Sequence, residues 1–119
     1  MTIQECYAAL QGDYEDVLSR LRSDRLVQKF MFKFLDDPSY DLLCSAMADK
    51  NREDAFRAAH TIKGVCQNLS FTKLFRSSDA LCEALRNDWA PNAEALAEAV
   101  HADYQATVSA IRTFQEAQG

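Results

Sequence analysis

The sequence predicts an all-α protein: an antiparallel up-down four-helix bundle with one or two short N-terminal helices capping one end. Three observations carry that reading. Helix formers such as Ala, Leu, Glu, Arg and Gln are plentiful, while the chain holds only two prolines and three glycines. Apolar residues recur at helical spacing, and no stretch alternates in the manner of a strand. The breaks between apolar runs are short, as antiparallel neighbours in a bundle require. With 119 residues, 48% of them hydrophobic, the chain can build one core. One domain over 1–119 is therefore expected, with the N-terminal helices in 1–22 and the bundle in 25–117.

The elements follow in order. TIQE at 2–5 is a capping box, in which Thr2 caps and Glu5 reaches back. The helix it opens should end near Gly12. Asp13 then caps a short helix through YEDVLSRLR. The run at 26–35 puts Leu26, Phe30 and Phe34 on one stripe and stops at DDPS. Asp37 as cap, with Pro38 at the first helical position, restarts a helix that should reach about Lys50. DKNRED at 49–54 is a polar turn. The next helix covers 52–69. SFT at 70–72 breaks it, and Ser70 or Thr72 can cap a helix over 73–86. NDWAPN at 87–92 is a loop, because Pro91 disfavours helix at the residue before it. Trp89, within that loop, is expected to cover a bundle end. The last helix, 92–115, carries Leu96, Val100, Tyr104, Ile111 and Phe114 near heptad spacing.

Charge and composition remove several function classes. A net charge of −5 argues against nucleic acid as a main partner, since phosphate backbones call for clustered Lys and Arg. Cys6, Cys44, Cys66 and Cys82 form no CxxC pair and no ligand cluster with His, so all four are expected to be buried, reduced thiols. MTIQECYAAL lacks the basic start and long apolar run of a signal peptide. No stretch approaches the ~20 apolar residues of a membrane span. The expectation is a cytoplasmic protein without membrane association.

The helix around His60 has two unlike faces. At 100° per residue from His60, Ala55, Ala58, Ala59, Ile62, Val65, Cys66 and Leu69 fall on one apolar arc, centred opposite the histidine. The other arc holds His60, Glu53, Gly64, Arg57, Gln67 and Lys63, with Phe56 as its one large apolar residue. Lys63 at i+3 and Gly64 at i+4 share a helix face with His60. Glycine inside a helix costs about 1 kcal/mol relative to alanine. At position 64 it removes the side chain that would stand beside the imidazole. The result is an accessible imidazole with a clear approach and a cation beside it. Histidine in its neutral form offers a nucleophilic ring nitrogen, which suits an accessible ring to accepting a phosphoryl group. A lysine beside it could screen a near-dianionic phosphoryl group.

AHTIKG at 59–64 resembles the signature of histidine-containing phosphotransfer (HPt) domains, Ala-His-x-Leu-Lys-Gly. The resemblance extends to Asn68–Leu69, to Leu74, to LCEALR at 81–86 and to the helices upstream, and so covers nearly the whole chain. It implies a phosphocarrier of a multistep phosphorelay. His60 matches the phosphorylated histidine, reacting through Nε2. Lys63 matches the lysine that holds the phosphoryl group and meets the partner's acidic pocket. Gly64 matches the glycine that lets the partner close over the ring, and Gln67 a polar position that orients ring or phosphate. The implied partners are response-regulator receiver domains, with a hybrid histidine kinase as a further candidate. No cofactor of its own is implied, since the receiver would supply the aspartyl phosphate and Mg²⁺. Two positions depart from the pattern. Ile62 replaces Leu on the apolar arc. Ser70 and Phe71 replace the usual Gly-Ala, where a residue other than glycine tolerates positive φ less well. Phe71 is expected to add bulk near the docking face and to influence partner choice.

Phe56 admits two readings, packing at the core edge or an apolar docking contact for a receiver, and Arg57 lies beside it on the candidate phosphoryl- and partner-binding face. His101 is expected to be a plain boundary histidine, with no second ligand at metal spacing. No Gly-rich phosphate loop, metal cluster or ATP-binding segment marks an enzyme in its own right. The expected molecule is thus a monomeric carrier. Its alternatives are a phosphoacceptor used directly by a histidine kinase, and a helical interaction module without phosphotransfer.

Overall fold

The computed structural model describes residues 1–118. Gly119, the last residue of the expected domain, lies outside them. Among the described residues the chain forms α-helices and no strand: α1 (Ile3–Leu10), α2 (Tyr14–Leu21), α3 (Asp24–Phe34), α4 (Ser39–Ala48), α5 (Arg52–Leu69), α6 (Thr72–Leu85) and α7 (Ala93–Gln118).

At 26 residues, α7 is the longest helix; it spans roughly 39 Å and sets the 41 Å long axis of the molecule. α3 and α4 form one broken strut that descends beside it. The Phe32 ring meets Phe114 and the Phe34 ring meets Tyr104, each pair tilted and at 5.9 Å between ring centroids. Past the break, Tyr40 lies flat on Tyr104 at 3.8 Å. Met47 then reaches the level of Ala97. α5 packs between this strut and α6, and α6 packs on α7, which closes a four-helix bundle. The break is chemical. Pro38 cannot donate a helical hydrogen bond, and the Asp37 carboxylate accepts the Ser39 N–H at 2.8 Å to restart the chain.

α1 and α2 sit across the end of the bundle where α5 turns into α6. Their caps match the sequence signals. Thr2 and Glu5 form the reciprocal box, at 2.8 and 3.1 Å, and Asp13 accepts the Asp16 N–H. Tyr7 is fully buried there, and its hydroxyl donates to the Leu69 carbonyl at 2.8 Å. The Asp13 N–H donates to the Ser70 carbonyl, and the Lys73 N–H to the Gln11 carbonyl.

Several expectations are corrected. In α3 the buried stripe is Val27, Met31 and Phe34; Leu26 is 39% exposed and Phe30 half-buried. The helix is turned by about one residue, which brings Met31 against Cys6 of α1. Cys44 is exposed while Cys6, Cys66 and Cys82 are buried. Burial pushes the Cys6 thiol up to about 11 and raises Cys66 and Cys82, so these three stay protonated at neutral pH. Neither Ser70 nor Thr72 caps α6, which starts without a side-chain cap. Ser70 instead ends α5 in the left-handed region, at φ 57°. Its hydroxyl donates to Asp16 at 2.6 Å and accepts from Arg20 at 2.7 Å. Arg20 also reaches the Gln67 and Asn68 carbonyls at the end of α5. Four α2-anchored contacts thus hold a strained backbone position that glycine would occupy freely.

Phe71 does not lie near the docking face either. It is fully buried, at 5.7 Å from the Tyr7 ring and 5.2 Å from the Phe34 ring. Its bulk fills the joint between the N-terminal helices and the bundle, so it offers nothing to a partner.

Candidate functional site

Asn51 starts α5 by accepting the Asp54 N–H at 3.1 Å, and Glu53 and Asp54 in the first turn suit the positive end of the helix dipole. From that start the helix period fixes what faces inward. Ala55, Ala58, Ala59, Ile62, Cys66 and Leu69 are buried and Val65 is half-buried. His60, Gly64 and Gln67 lie on the opposite, exposed face. A Cβ built on Gly64 would meet nothing within 4 Å. The glycine therefore answers to no packing constraint within this chain, and its helix cost is returned by no contact.

Phe56 is half-buried, with its ring 5.9 Å from the His60 ring. The Arg86 guanidinium from the end of α6 lies over the Phe56 ring, 5.2 Å from its centroid. Arg52, Glu53, Phe56, Arg57, His60, Thr61 and Arg86 line one shallow depression. Arg57 is turned back toward Asp54 at 3.1 Å. Gln67 stands a further turn along α5, and its carbonyl is one of those held by Arg20.

Lys63 lies on the α6 side of the site. Its ammonium meets the Asp79 carboxylate at 2.9 Å. That hydrogen bond holds the lysine pKa above its ordinary value against partial desolvation, with the negative charges of Asp79 and Glu83 adding to it. The sequence places the positive charge of Lys63 in the space beside the imidazole; in the fold that charge already has a carboxylate on it.

Sequence reasoning missed what α6 contributes. Asp79, Glu83 and Arg86 fall at i, i+4 and i+7 on the flank of α6 that faces Lys63 and Phe56. That spacing was readable, but nothing in α6 by itself says that its flank adjoins the histidine face. His101 is exposed at its place on α7, and its Nδ1 meets the Tyr40 hydroxyl beneath a stacked ring. Trp89 is half-buried under the Lys50 ammonium and donates to Glu94 at 3.1 Å. Among the described residues no three His, Cys, Asp or Glu side chains are grouped to hold a metal ion. Among the same residues no helix is long and apolar enough to cross a membrane.

An exposed imidazole beside an open glycine and a cation can accept a group from another macromolecule, because the described residues leave the ring open to solvent. Comparison with known proteins agrees with that chemistry. No curated protein and no solved structure matches the chain. A family model described as the Hpt domain matches residues 5–113, nearly the whole chain and all of α5 and α6. The chain belongs to the Hpt domain family, the helical modules that carry out histidine phosphotransfer in phosphorelays.

Proposed function

We propose that His60 is the phosphoacceptor of this domain, taking a phosphoryl group from the aspartyl phosphate of one receiver domain and passing it to another. The observation that carries this reading is the open space at Gly64, one turn from an exposed imidazole and empty of any neighbour. A receiver's active site has to close over the ring for the transfer to occur. In the forward step the His60 Nε2 lone pair attacks phosphorus. The Nε2–P bond forms, the P–O bond to the aspartate breaks, and the carboxylate leaves with the electron pair. The reverse of that step loads the next receiver. The receiver's bound divalent cation would neutralise the transferring oxygens. This chain contributes the nucleophile and the surface that aligns it. Lys63 is the cation within reach of the phosphoryl group, Phe56 the apolar centre of the docking face, and Arg57 and Gln67 its polar rim. The family's members are phosphocarriers, and this one is read as a monomeric cytoplasmic carrier that relies on its partners for catalysis.

The test is direct. The protein is incubated with a phosphorylated receiver domain, and separately with a histidine kinase and labelled ATP. Acid-labile, base-stable label on the wild type, absent from His60→Gln, is the expected result. Labelling by the kinase alone would replace the receiver-to-receiver reading with direct phosphorylation. Equal label on wild type and His60→Gln would remove His60 from the reaction.

A further inference from the structure

The cations around His60 are all engaged. Arg57 holds Asp54 at 3.1 Å and Arg86 holds Glu83 at 2.7 Å, each within a single helix at i,i+3. Lys63 holds Asp79 at 2.9 Å across the α5–α6 interface. Its side chain is 24% exposed and that of Asp79 42%, so water screens this pair less than it does the other two. Lys63 is also the cation one turn from His60 on the side where Gly64 leaves room. A phosphoryl group on Nε2 would carry nearly two negative charges and three strong acceptor oxygens. It would stand near an ammonium already shared with a carboxylate, and the two anions repel each other.

We propose that Asp79 is a positioning residue for the phosphorylated state: its carboxylate competes with the phosphoryl group on His60 for the Lys63 ammonium, and so limits how long the phosphohistidine persists. The proposal rests on His60 as phosphoacceptor. The reason for the direction is electronic. Loss of the phosphoryl group passes through a loose, metaphosphate-like transition state, in which the terminal oxygens give up negative charge. A cation held on those oxygens favours the bound group, and a cation held away from them favours departure. By keeping Lys63 partly on α6, Asp79 shortens the life of the carried group when no partner is docked.

The experiment needs no protein partner. Radiolabelled phosphoramidate serves as donor: the Nε2–P bond forms, the donor's P–N bond breaks, and ammonia leaves with the proton. The half-life of the label is then followed in wild type, Asp79→Asn, Asp79→Glu, Lys63→Gln and the Lys63→Gln/Asp79→Asn double variant. Asp79→Asn should lengthen the half-life by about threefold, the scale of one partly exposed ion pair. Asp79→Glu should behave as wild type, and Lys63→Gln should shorten the half-life. Without Lys63, the Asp79→Asn effect should disappear. In the unphosphorylated protein, the Lys63 ammonium, followed by NMR, should titrate at lower pH in Asp79→Asn. An unchanged half-life in Asp79→Asn overturns the proposal and leaves His60 in place. The same lengthening with and without Lys63 also overturns it, since that is a bare field effect. If wild type takes no label above His60→Gln, the phosphoacceptor reading falls and this proposal with it. Asp79→Ser, which also removes the charge, stands in if Asp79→Asn does not fold.

Discussion

A Cβ at Gly12 would come within 2.6 Å of the Ser70 carbonyl oxygen and 2.8 Å of the Leu10 and Tyr7 side chains, whereas a Cβ at Gly64 would meet nothing within 4 Å. Neither glycine has positive φ. One is there because two pieces of backbone touch inside the molecule. The other is there with no internal reason at all. The regions around them differ in the same way. At the end of α5, Ser70, Phe71, Tyr7, Asp16 and Arg20 lock the N-terminal helices to the bundle. At the middle of α5, side chains pair with one another around an imidazole that nothing covers. The lesson is that one helix can be rigidly anchored at its end and left open at its centre, and that a glycine's neighbours tell which region it serves.

The comparison can be broken most severely at Phe71. Phe71→Ala should destabilise the fold by about 3–5 kcal/mol, read by urea unfolding, because the ring is fully buried. A loss below ~1 kcal/mol would mean that the joint is not packed as described. Gly12→Ala should cost about 1–3 kcal/mol, since the Ser70 carbonyl is backbone and cannot swing aside. Gly64→Ala should do the opposite and add up to about 1 kcal/mol. If both glycine variants shift stability in the same direction, the contrast between the two regions fails. Gly64→Leu should keep its helix content yet slow transfer to or from a receiver by about 100-fold, the scale of a misplaced reacting group. Normal transfer there would show that the open space is not used. The smallest effect belongs to Ser78, whose buried hydroxyl has no hydrogen-bond partner among the described residues. Ser78→Ala should leave stability unchanged or slightly raised, because it removes a polar group whose burial nothing repays. A loss above ~1 kcal/mol would reveal a partner for that hydroxyl.

Much of the helix pattern was legible because it depends on local rules. The bounds of α5 follow from Asn51 as cap and from the apolar arc, and the Thr2 and Asp13 caps form as their side chains dictate. The stripe of α3 was misread because Leu26 and Val27 are equally apolar. Only the packing of α3 against other helices, with Met31 on Cys6 of α1, decides which of them turns inward. Phe71 was misplaced for a related reason. Its exposure depends on α1, whose contact with the start of α6 spans some sixty residues of sequence.

By itself the sequence determined that the chain is helical, where most of its helices start and stop to within a few residues, and that His60, Lys63, Gly64 and Gln67 share the polar face of one of them. Those properties come from caps, breakers and the 3.6-residue period, which act over a few residues. Only the tertiary structure decided that α6 lays Asp79 against Lys63 and Arg86 over Phe56. It also decided that α2 secures Ser70 in the left-handed region and that Gly64 faces open space where Gly12 faces backbone. Such contacts join residues far apart in the chain, and they are set by how the bundle closes on its core, which no local pattern encodes.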